Sequence, residues 1–157
     1  MNPVTGRRES DNPDHEPVVA VRNAVDTLHT LDSETIDHLN ALAFVLVRVA
    51  WADGRVCNDE RRRMESILVD HARVCPEHAV LVTEIACHRA ELSDCGIAYA
   101  ISRGLRARLE AKQRASIIGL LTAVADADGR FRSVERHEIA QIAGELGISP
   151  SEVCQPE

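Results

Sequence analysis

Five acidic residues, Asp53, Glu60, Asp126, Asp128 and Glu135, have the chemistry and spacing to hold a hard divalent cation. A calcium-binding helix–loop–helix places ligands at positions 1, 3, 5 and 12 of its loop, with glycine at position 6. Asp126, Asp128, Gly129 and Glu135 fall on places 3, 5, 6 and 12 of such a loop. Asp53, Gly54 and Glu60 fall on places 5, 6 and 12 of an earlier copy. Val49 and Val124 stand where the first aspartate belongs, and Trp51 takes the third place of the earlier copy. Neither copy is a full loop, and calcium or magnesium wants about six or more oxygens. These five positions are the candidate metal ligands, with Ca2+ or Mg2+ as the cation, and no other cofactor is called for.

A simpler reading of the same residues is helix punctuation. Gly54 and Gly129 suit the left-handed position after a helix, where a Cβ costs about 1–2 kcal/mol. Glu60 and Glu135 fall in the first turn of the following helix, where an acid is favoured by the helix dipole. Asp53 and Asp128, by contrast, sit at helix C-termini, where the dipole opposes negative charge. A backbone N–H, a cation, or the guanidinium of Arg55 or Arg130 must compensate them.

Other constellations are weaker. His71, Cys75 and His78 with Cys87 and His88 could be drawn as a zinc site, but structural zinc ligands are usually paired more closely. Surface histidines and core cysteines are the plainer reading. Arg103, Arg106, Arg108, Lys112 and Arg114 form a basic stretch that could touch anionic lipid or an acidic partner, or be a solvated helix face. The Arg61–Arg63 run reads the same way. No histidine has an evident nucleophile partner, so no catalytic residue is assigned and a non-enzymatic protein is expected.

The elements that position the acids are repeated. Leu46–Leu68 reads LVRVAWADGRVCNDERRRMESIL and Leu121–Ala143 reads LTAVADADGRFRSVERHEIAQIA. Leu46 pairs with Leu121, Ala50 with Ala125, Asp53 with Asp128, Gly54 with Gly129 and Glu60 with Glu135, where chance would give about one or two identities. Each copy is an apolar helix, an Asp-Gly-Arg break and an acidic-started helix. Ile36, Leu39, Leu42, Ala43, Leu46, Val49 and Ala50 form the stripe of the first long helix, from Glu34 to the break, with Ser33 as its N-cap. Asn58 caps a helix to about Val74, and Pro76 opens another to about Leu92. Asp94–Leu105 is shorter, with Ile97, Tyr99 and Ile101. Glu110–Asp126 repeats the long apolar helix, Ser133 caps the last, and Gly147 closes it. Val18–Leu31 reads as a weaker helix, and Ser149-Pro150 as a terminal turn. The expectation is an all-α, single-domain bundle of seven or eight helices over 18–157, behind a flexible tail at 1–17.

Composition narrows the setting. Hydrophobic residues are 45% and aromatics 3%, so the core must be aliphatic, with Trp51 expected inside it. A net charge of −7 argues against nucleic acid, whose phosphates need cationic surface. The longest apolar run, Ala41–Val47, is far short of the ~20 residues that span a bilayer. Five cysteines with no CxxC pair and no apolar leader suggest reduced thiols in the cytoplasm.

The paired Ala50-Trp51-Ala52-Asp53-Gly54…Glu60 and Ala125-Asp126-Ala127-Asp128-Gly129…Glu135 elements, followed by Leu146-Gly147-Ile148-Ser149, resemble the TerB (tellurite resistance protein B) family over about Glu34 to Val153. The resemblance implies an all-α fold, no catalytic activity, and metal binding at the acidic positions, here Asp53, Glu60, Asp128 and Glu135. It also implies a link to tellurite resistance, stress response and membrane-associated complexes. Arg55 and Arg130 depart from the acidic or neutral residue expected after the glycine, and a guanidinium there could neutralise the same carboxylates. The function expected is a non-enzymatic binding or scaffold protein with protein partners. The alternatives are a divalent-metal sensor and a co-chaperone-type interaction adaptor; the chain has no HPD tripeptide, so it is not itself a J-domain protein. Denatured under non-reducing conditions, the chain should titrate with five free thiols; a lower count would reveal a disulfide and contradict the cytoplasmic setting.

Overall fold

The apolar stripe from Leu39 to Ala50 becomes the axis of the fold. In the computed structural model, which describes residues 22–23, 25–92 and 95–149, it lies on helix α1, Ser33–Ala50. The expected tail at 1–17, the start of the first weak helix and the turn at Pro150 lie outside the described residues. The second half of α1 is apolar almost all round, with Leu42 to Val47, Val49 and Ala50 buried. A helix of that kind must be covered on every side. The covering is α2 (Asn58–Ala72), α3 (Pro76–Leu92), α4 (Cys95–Arg108), α5 (Ala111–Ala125) and α6 (Ser133–Glu145), each of which packs on α1. The helix and its extension, Ser33–Asp53, are long and apolar enough by composition alone to cross a membrane, with mean hydropathy 1.2. Here those side chains hold the bundle together.

Among the described residues there are no strands, and 22–23 and 25–28 add a further helical segment before α1. The expected all-α bundle with two related helix pairs is what forms: α1–α2 and α5–α6 each flank an Asp-Gly turn. The pairs interlock, since α1 packs on both α5 and α6, and α2 packs on α5. The core is aliphatic, centred on Leu39, Leu42, Leu46, Met64, Leu68, Leu105, Leu121, Ile142 and Leu146.

The helices begin at Ser33, Asn58 and Ser133, so the N-caps expected at these residues lie one residue earlier. Asp32 caps α1, accepting from the Thr35 N–H at 2.9 Å and its hydroxyl at 2.6 Å. Cys57 and Arg132 are the N-caps of α2 and α6. The end of α2 comes at Ala72 instead of Val74, because Pro76 begins α3 and disfavours helical backbone just before it; Arg73 turns the chain at φ +53°. The expectation that Trp51 is core fails. Trp51 is only partly buried, in a one-turn 3₁₀ segment, Trp51–Asp53. On α4 the inward face is Ser102 and Leu105, whereas Ile97 and Tyr99 are 48% and 50% exposed. Helical spacing from Leu105 selects positions 98, 101 and 102 for the interior, which leaves 97 and 99 outside.

Leu46 and Leu121 occupy equivalent positions in the repeat and are both fully buried. Leu46→Ala and Leu121→Ala should each cost about 2–5 kcal/mol, as large-to-small changes in a packed core do. Urea unfolding would check this; a loss below 1 kcal/mol at either position would mean that the core around it collapses freely.

Candidate functional site

Each Asp-Gly turn is built from its backbone outward. Gly54 and Gly129 adopt φ +89° and +72°, and their N–H groups close the turns on the carbonyls of Trp51 at 2.8 Å and Asp126 at 2.9 Å. The aspartate ahead of each glycine then bends over the turn. Asp53 Oδ1 accepts the Arg55 N–H at 3.2 Å, and Asp128 Oδ1 accepts the Arg130 N–H at 2.9 Å. Those bonds answer the unfavourable helix-end position of both aspartates.

The glutamates serve the next helix. Glu60 Oε2 accepts the N–H of Cys57 at 2.7 Å, and Glu135 Oε2 accepts that of Arg132 at 2.7 Å. Both are third in their helices and reach back to the N-cap, as in a capping box. They are also inside the protein, at 2% and 0% exposure. A buried carboxylate is costly unless paired, so what surrounds them matters.

What surrounds them is each other and Arg132. The 3₁₀ turn packs against α6, which brings the first turn to the second. Arg132 Nη2 lies 2.9 Å from Asp128 Oδ2, Nη1 is 3.0 Å from Glu135 Oε1, and Nε is 3.6 Å from Asp53 Oδ2. One guanidinium therefore joins three of the five predicted acids and spans both repeats. Glu60 is the fourth member, and no cation among the described residues lies within ion-pair distance of it. Burial pushes its carboxyl above the ordinary range; the Cys57 N–H and thiol act against this, while the charges of Glu135 and Asp128 add to it. At Asp128 burial acts upward too, but hydrogen bonds from Arg132 and the Arg130 N–H outweigh it and hold the group below its usual range. Asp126 is apart from the other four: it is exposed at the end of α5, beside Asp59, Arg62 and Arg63.

Of the two arginines expected as partners, Arg55 is exposed with its Nε 3.9 Å from Asp53 Oδ2, and Arg130 contributes its backbone N–H; the closer guanidinium is that of Arg132. Arg132 was missed, although its spacing was a signal: it lies four residues after Asp128 and three before Glu135, both neighbour distances on a helix. The zinc set is not assembled. Cys75, His71 and His88 are exposed, Cys87 is buried, and His78 is buried with its Nε2 2.7 Å from the Thr27 hydroxyl. Among the described residues no three His, Cys, Asp or Glu side chains are grouped to hold a metal. Cys57, Cys75 and Cys87 are free thiols, and the thiols of Cys95 and Cys154 lie outside the described residues.

A second ionic group was also missed. Arg48, where the apolar run of α1 stops, is nearly buried between α4 and α6. It bonds Glu145 at 2.7 Å, Glu138 at 2.8 Å and the Ser102 hydroxyl at 2.9 Å. Beside it is a cavity of about 360 Å³ lined by Phe44, Trp51 and Tyr99, three of the chain's four aromatic residues. The basic stretch is divided by the turn between α4 and α5. Arg108 pairs with Asp37 at 3.5 Å, Arg114 donates to the Leu146 carbonyl at 2.8 Å, and Arg103 stacks over Tyr99.

The family model described as tellurite resistance protein TerB matches residues 39–155, which takes in both turns and every helix from α2 onward. No curated protein and no solved structure matches the chain.

The two acids shifted in opposite directions should separate in a pH series. Asp128, depressed, contributes stability above about pH 3.8 that is lost as pH falls through its lower folded value. Glu60, raised, favours the folded state most below about pH 4.5, and that contribution is lost as pH rises through its folded value. Urea midpoints measured across acid to neutral pH should therefore show Asp128→Asn flattening the acid limb and Glu60→Gln flattening the fall on the other side. Equal curves for wild type and Glu60→Gln would mean that its burial is relieved by solvent.

Proposed function

The chain belongs to the tellurite resistance protein TerB family, and on that premise we propose that it is a non-enzymatic binding or scaffold protein serving tellurite resistance or a general stress response in the cytoplasm. The observation that carries the binding role is the clustering of aromatic residues. In a chain with 3% aromatics, Phe44, Trp51 and Tyr99 line one cavity. Its volume lies within the ordinary range for small ligands or a few inserted side chains, about 300–1,000 Å³. Tyrosine and tryptophan at a partly exposed surface supply much of the energy of protein recognition. Phe44 also lines a second, largely apolar groove of about 470 Å³, as does Ile97. Ile97 and Tyr99 stand on α4 with half their surface in solvent, where they contribute little to the bundle.

The buried acids support a structural role for the turns. Each of Asp53, Glu60, Asp128 and Glu135 spends one oxygen on a backbone N–H, and three of them meet Arg132 with the other. This weighs against the alternative of a divalent-metal sensor. Within the basic stretch Arg108 pairs with Asp37 and Arg114 bonds the Leu146 carbonyl, which divides its charge and favours protein over lipid as the partner.

A strain lacking the chain should be sensitised to tellurite, and wild type should restore tolerance. Ile97→Ser with Tyr99→Ser should fail to restore it while unfolding within about 0.5 kcal/mol of wild type, as exposed substitutions do. Full complementation by this pair would move the binding surface elsewhere; an unaltered tellurite response in the deletion would remove the resistance role itself.

A further inference from the structure

The four acids of the paired turns lie around one arginine, and the family to which the chain belongs suggests a metal for such positions. The arrangement here does not fit one. A hard cation collects about six or more oxygens, yet Asp53 and Asp128 give Oδ1 to backbone N–H groups, and Glu60 and Glu135 give Oε2 likewise. The second oxygens of Asp53, Asp128 and Glu135 all face one guanidinium, at 3.6, 2.9 and 3.0 Å. We infer that Arg132 is the resident cation of this site: the chain is metal-independent because an arginine side chain occupies the place a divalent ion would take.

Two further observations bear on this. The repeat supplies an internal comparison, since the position equivalent to Arg132 is Cys57, a small neutral residue that also serves as N-cap and leaves Glu60 without a cation. The arginine therefore is not required for the turn or the cap, which the first copy builds without it. Nor is it a loose surface side chain. It makes two charge-assisted contacts at hydrogen-bond distance and keeps only about a quarter of its surface in solvent. Such a guanidinium is held far more firmly than an exposed ion pair.

Replacing Arg132 should then uncover a divalent site. In the full chain, Arg132→Ser copies the size of the first-copy residue without adding a thiol ligand, and Arg132→Gln keeps the length while removing the charge. Calorimetric titration with CaCl2 and with MgCl2, after removal of trace metal with a chelator, should show no binding to wild type. Arg132→Lys should behave in the same way. Arg132→Ser or Arg132→Gln should melt earlier than wild type in chelator and recover by several degrees in millimolar calcium or magnesium, because a ligand bound only to the native state stabilises it. Adding Asp128→Asn to the responding variant should abolish the recovery. Saturable binding of either cation to wild type would overturn the inference. So would the absence of a metal response from both neutral variants, folded or not in chelator. Neither result depends on whether the α4 surface binds a partner.

Discussion

Two glutamates with almost no exposure stand at the centre of this protein, and the rest of the structure is arranged so that they can. Burying one ionised carboxylate without partners would cost several kcal/mol. Glu60 and Glu135 are tolerable because each accepts the amide of its own helix's N-cap, a donor that would otherwise be orphaned at the helix start. The same bonds fix where α2 and α6 begin and hence how the Asp-Gly turns enter them. Beyond this point the halves diverge. Glu135 has a guanidinium at 3.0 Å, whereas Glu60 has only amide and thiol, and burial displaces its carboxyl upward against their pull. One copy sets an arginine beside its buried glutamate and the other does not.

That division explains how the aspartates at helix C-termini are accommodated. Their local penalty is answered within two residues by the N–H of Arg55 and Arg130, so each turn is self-sufficient. Arg132 then joins turns that are each already formed. Its contribution is tertiary: it ties the end of α1 to the start of α6, elements brought together from opposite ends of the sequence. Arg48 acts similarly at the other face of α6, fastening Glu138 and Glu145 to α1. The final helix is therefore held on both flanks by arginines inserted between carboxylates.

Much of this was legible beforehand because it is periodic. The stripe of α1, the paired breaks, the left-handed glycines and the two related helix pairs follow from apolar spacing and from the repeat, and the family from the doubled Asp-Gly motif. The bringing together of Asp53, Asp128, Glu60 and Glu135 was legible as a shared role but not as one place, since nothing in either copy states that the two turns face each other. Arg132 was hidden by the comparison that exposed everything else: attention to identical positions passes over the one where arginine replaces cysteine. Arg48 was read as the end of an apolar run, because a buried charge is identified by partners 90 or more residues away. Trp51 was assigned to the core on residue type, yet the 3₁₀ turn rotates it out of the stripe of α1.

That rotation links the acidic turns to the aromatic cavity. The segment Trp51–Asp53 is a single turn of 3₁₀ helix, so a residue at one end cannot move without the other. At one end Trp51 forms part of the cavity wall with Phe44 and Tyr99; at the other, Asp53 faces the guanidinium of Arg132. The same cavity is bounded by Arg48, Glu138 and Glu145, which tie α1 to α6. Ion pairs that reach from α6 to α1 and its extension thus bound it on two sides. Apolar packing specifies a volume but tolerates small shifts of side chains, whereas an arginine bonded to two or three carboxylates admits few arrangements. Arginines at these junctions therefore constrain the aromatic wall from the side of α6. The acids of the turns thereby support the aromatic cavity wall, through Asp53 and the single turn it shares with Trp51.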